Sequence, residues 1–100
     1  MNRSSVKFAF NDSVSMPEVE ATLRLALLAV ESLHGEDRLR LETRTKVDRA
    51  RHACLVDTTT EVGRTLAAIF GGYVRREFGE EAIGIFLAMT GTCDPAGSVA

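Results

Sequence analysis

The residues best suited to chemistry are His52 and Cys54, two apart, the hydroxyl run Thr58-Thr59-Thr60 between Asp57 and Glu61, and His34. Positions two apart on a strand point the same way, so His52 and Cys54 could share a metal or form a thiol–imidazole pair. A strand-end histidine beside a buried thiol needs fewer assumptions, because metal sites use more ligands at tighter spacing. His34, next to Gly35, is placed to lend positive charge to a helix C-terminus. The chain has no paired-carboxylate, nucleophile-elbow or metal-binding helix signature, so the sequence points away from an enzyme and implies no cofactor and no metal.

The threonine run offers a different chemistry. A strand entering a helix N-terminus presents free amides and a favourable dipole, which makes Thr58, Thr59 and Thr60 a candidate site for a small anion or phosphate. Asp57 and Glu61 would repel that ligand, and the glycine-rich GxxxxGK[ST] loop is absent. Helix capping explains the same residues, with Thr58 as the cap and Glu61 three positions on.

A third candidate is basic. Between Asp37 and His52 stand Arg38, Arg40, Arg44, Lys46, Arg49 and Arg51 against Asp37, Glu42 and Asp48, an excess of three positive charges. With Lys7 on a neighbouring strand, this stretch suits weak, salt-sensitive contacts to nucleic acid. Only Phe86, toward an edge, could stack a base, and edge charges that block strand-to-strand aggregation explain the arginines equally well. Nucleic acid is therefore a partner the sequence permits without favouring.

These side chains need elements to hold them. Ser5 to Phe10 alternates, with Val6, Phe8 and Phe10 on one side and Lys7 and Ala9 on the other, the pattern of a half-buried strand. Ser15-Met16-Pro17-Glu18 begins a helix with a capping box and a first-turn proline, and Gly35 ends it. Val19, Leu23, Ala26, Leu27, Val30 and Leu33 share one face. Ala21, Leu25, Leu28 and Ala29 fall opposite, leaving only Glu20, Arg24 and Glu31 as a polar stripe. A helix that covers one sheet does not need that second apolar arc.

Arg38 to Arg44 alternates and predicts a second strand with Leu39 and Leu41 inward; Lys46 to Arg49 then turns into a return strand over 52–56. The inward side of that strand is open, because Ala53 and Leu55 compete with Cys54 and Val56. A second helix carries Val62, Leu66, Ile69, Phe70 and Tyr73 inward and closes at Gly79. Its small residues Gly63, Ala67 and Gly71 recur four apart, a row along which the first helix could approach. Ala82 to Met89 reads as a buried strand, and residues 90–100 as a flexible tail on a single 1–89 domain.

This order predicts an α+β fold: a two-layer, ferredoxin-like β-α-β-β-α-β sandwich of four antiparallel strands with two helices on one face and the first and third strands central. The open face would show Lys7, Ala9, Phe86 and Ala88, with Cys54 and Val56 also assigned to it. Composition agrees with a globular domain, 45% apolar and 26% charged, with a formal net charge of −2. Two distant cysteines without a CxxC pair suit a reducing, cytoplasmic setting, and no apolar run reaches the ~20 residues of a membrane span. The N-terminus lacks the apolar core of a signal peptide. The expected function is a non-enzymatic protein-interaction or homodimerisation module, with Ala21, Leu25, Leu28, Val56, Phe86 and Ala88 as its interface.

Overall fold

The computed structural model describes residues 3–90, with the side chains of 4–87. It is α+β: a four-stranded antiparallel open sheet with three helices. The elements are β1 (Arg3–Phe10), α1 (Met16–His34), α2 (Glu36–Glu42), β2 (Thr45–Asp48), β3 (Ala53–Asp57), α3 (Glu61–Phe78), a 3-10 turn (Glu80–Ala82) and β4 (Ile83–Thr90). The strand order β2-β3-β1-β4 places the first and third strands in the middle, as expected. Thr90 closes β4, and the rest of the expected tail, including Cys93, lies outside the described residues.

The core lies between one face of the sheet and helices α1 and α3. Phe8 and Phe10 enter it from β1, Val19, Leu23, Ala26 and Val30 from α1, and Val62, Leu66, Phe70 and Val74 from α3. Phe8 and Phe70 meet edge-to-face with ring centroids 4.9 Å apart, the geometry the ring quadrupole favours. Gly35 ends α1 at φ 91°, where an L side chain would be strained. Pro17 and Glu18 sit in the first turn as the sequence requires, although Ser15 makes no side-chain cap bond. Leu33, expected inward, is exposed.

Several sequence expectations are overturned. First, residues 36–42 form α2 and not a strand. The Arg-Leu-Arg-Leu alternation concealed carboxylate–guanidinium partners at helical spacing, Glu36 with Arg40 and Arg38 with Glu42, and these straight-chain residues are good helix formers. Leu39 is half-buried while Leu41 is exposed, so the two leucines do not share the inward side a strand would give them.

Second, the expected turn 46–49 is mostly strand: β2 runs Thr45–Asp48, and the chain reverses through Arg49–His52, with His52 at φ 52°. Third, Cys54 and Val56 face the helices and are fully buried, because the ladder sets Cys54 opposite Phe8 and Val56 opposite Val6. Ala53 and Leu55 take the open face instead. Fourth, the cap of α3 is Thr60, whose hydroxyl accepts from the Gly63 amide at 2.9 Å. Thr58 is held by β1, its amide donating to the Ser4 carbonyl and its hydroxyl 3.0 Å from that of Ser4.

The two glycines of the small row on α3 lie against the sheet side. A Cβ on Gly63 would lie 2.1 Å from the Asp57 carbonyl oxygen, and one on Gly71 would touch the Phe8 ring. Both glycines let the helix settle against the sheet.

Candidate functional site

The chemical candidates are dispersed or already engaged. Burial alone pushes the Cys54 thiol up to about 12, far from the thiolate that nucleophilic or metal chemistry needs. No group of three metal-ligating side chains occurs among the described residues. The threonine hydroxyls serve the fold: Thr60 caps α3 and donates to the Glu42 carbonyl at 2.6 Å, and Thr59 accepts from the Ser4 amide. Arg64 reaches the carbonyls of Thr58 and Thr59, and the Thr59 amide donates to Asp57. An anion there would have to displace these bonds and face Asp57 and Glu61.

The basic stretch divides into two parts. Arg38 and Arg40 lie on α2, where Glu42 and Glu36 take them up, and Arg38 also approaches Glu61 at 3.7 Å. Arg49 ties the β2–β3 turn to α1 through Glu20 at 2.5 Å. The Arg49 guanidinium holds the Glu20 carboxyl below its ordinary value, and Arg38 does the same to Glu42. Lys7, Arg44, Lys46 and Arg51 remain around the open sheet face.

The register arranges that face in rows. Phe86, Lys7, Leu55 and Lys46 stand opposite one another across β4, β1, β3 and β2. Gly84, Ala9, Ala53 and Asp48 form the next row. A Cβ on Gly84 would lie 2.9 Å from the Phe86 ring, so the glycine makes room for the ring to lie back along the strand.

The other outstanding surface is the outer edge of the sheet. Among the described residues β4 pairs on one side only, with β1. Its eight residues, IGIFLAMT, include neither a charge nor a proline. Leu87, opposite Val6, is 75% exposed, and Ile85, opposite Phe8, is 39% exposed, because α1 and α3 do not roof the helix side of this strand beyond Ile83, which packs against the core. Phe86 is 56% exposed on the opposite side.

No family model matches the chain, and no curated protein matches it.

Of the residues expected to form an interface, Leu25 and Leu28 are 58% and 61% exposed, and Ala21 is exposed beside them. Leu25 and Leu28 therefore do not pack under α3. Phe86 is exposed, Ala88 is described at its backbone only, opposite Ser5, and Val56 is inaccessible within the core. The sequence reading missed Ile85 and Leu87. The signal was the uncharged 83–90 run itself, which fits an edge strand as well as a buried one.

Proposed function

We propose that this chain is a non-enzymatic self-association module that pairs with a second copy of itself along β4. The observation that carries this reading is the eight-residue uncharged edge with Ile85 and Leu87 bare on its helix side. An unpaired row of backbone amides and carbonyls beside exposed apolar side chains is a template for another strand. Antiparallel pairing of β4 with its own copy about a two-fold axis joins two four-stranded sheets into one of eight and brings both pairs of aliphatic side chains together between the α3 helices.

The same geometry favours a closed dimer over a filament. Pairing consumes both β4 edges and leaves only β2 at each end, four residues long and carrying Lys46 and Asp48. The strand order, with two long helices on one face, supports a ferredoxin-like assignment of the fold, and the free thiol of Cys54 in the core goes with a reducing, cytoplasmic setting. Sedimentation equilibrium at micromolar concentration tests the proposal: a dimer is expected, and a strictly monomeric chain overturns it.

A further inference from the structure

The open sheet face carries a feature that strand pairing at β4 does not use. A hollow of about 200 Å³ lined by Ser4, Ser5, Arg44, Lys46 and Leu55 adjoins one of about 160 Å³ lined by Lys7, Lys46, Arg51 and Leu55. Lys46 and Leu55 belong to both, so the two form one trough with Leu55 as its apolar floor. Phe86 continues the same cross-strand row beyond Lys7.

Charge is unbalanced along this trough. Lys7, Arg44 and Lys46 have no carboxylate partner among the described residues, whereas Arg38, Arg40 and Arg49 each have one. Asp48 is engaged by Arg51, whose amide donates to it at 3.2 Å and whose guanidinium lies 3.8 Å away. Asp57 accepts from the Thr59 amide. On a chain of net charge −2, four cations and two carboxylates meet on this one face.

We propose that the open face of the sheet binds single-stranded nucleic acid, with phosphates on Lys7, Arg44, Lys46 and Arg51 and bases against Phe86 and Leu55. Neighbouring strands stand about 4.8 Å apart, so Lys7 and Lys46, two strands apart, are separated by about 10 Å at the backbone. The row from Lys46 across Leu55 and Lys7 to Phe86 spans three strand spacings, about 14 Å, more than a single small anion can cover. A linear polyanion can, and of the linear polyanions a nucleic acid also offers planar bases to the exposed ring. An acidic peptide supplies the charge and leaves Phe86 without a stacking partner. This site is separate from the β4 edge: backbone pairing there leaves the open face bare, and the lysines lie on other strands.

The test is fluorescence anisotropy with labelled oligouridylate and oligothymidylate of about a dozen nucleotides, a length within the usual single-strand site sizes. With three to four phosphate contacts, affinity should fall about 20- to 50-fold between 50 and 200 mM salt. Lys7→Ala and Lys46→Ala should each lower the salt slope by about 0.7, since both side chains are exposed and unpaired. Phe86→Ala should weaken binding about tenfold with the salt slope unchanged. Absence of binding at 50 mM salt overturns the proposal. So does equal affinity for polyglutamate or for a duplex of the same charge, or unchanged binding by both lysine variants with native circular dichroism. Sedimentation of the same samples reports self-association independently.

Discussion

The sheet has two edges, and they are built in opposite ways. β2 is four residues long, bears Lys46 and Asp48, is flanked by Arg44 and Arg49, and is tied to α1 through Arg49 and Glu20. β4 is twice that length and has no charge. Short, charged edges discourage pairing with foreign strands, whereas a long apolar edge invites it. On the proposed reading, strand addition is therefore directed: among the described residues one edge is guarded and the other is not. The α1 arc of Ala21, Leu25 and Leu28 is apolar too, but it offers no unpaired backbone.

That contrast can be broken most forcefully at β4. Leu87→Lys should weaken self-association by tenfold or more, at least about 1.4 kcal/mol, while the monomer keeps its circular dichroism, because the side chain is already mostly exposed. A dimer of unchanged strength in sedimentation would move the seam elsewhere. The converse experiment strips the guarded edge: Lys46→Val with Asp48→Val should let assembly continue past the dimer, seen as light scattering that grows with concentration. Leu28→Glu is the discriminating control. If β4 is the seam, it should change the dimer constant less than about threefold, under 1 kcal/mol, and complete dissociation would assign the interface to α1.

The smallest expected effect is on pH response. Glu20 is held below its ordinary carboxyl value of 4.5 by its hydrogen bond from Arg49, so its folded value lies under its unfolded one. The tie therefore contributes above pH 4.5 and is lost as pH falls through the depressed folded value. Amide hydrogen exchange should show the β2–β3 turn loosening under acid while the β1–β4 ladder, with no titratable residue between Ile83 and Thr90, stays protected.

Elements written in local pattern were legible in the chain. The alternation of Val6, Phe8 and Phe10 announced β1, and Pro17, Glu18 and Gly35 bounded α1. Each depends on neighbours within a few residues, the range over which sequence and backbone are tightly coupled. The apolar surplus of Leu25, Leu28 and Phe86 was visible on the same ground and is exposed in the fold. Residues 36–42 were misread because four alternating positions satisfy both a strand and the flank of a helix, and the deciding pairs lie four apart. Thr58 looked like a cap until Ser4, distant in sequence, claimed it.

By itself the sequence determined where α1 begins, where both long helices end, how β1 alternates and how much apolar surface the chain carries. Tertiary structure alone decided which side of β3 enters the core, since Ala53 and Leu55 are as apolar as Cys54 and Val56 and only the ladder with Phe8 separates them. It also decided that β4 stands at an edge. A run of apolar residues records burial on its two faces and says nothing about whether a neighbour occupies its backbone, because hydrogen-bonding groups are identical at every residue and are satisfied only by what lies alongside.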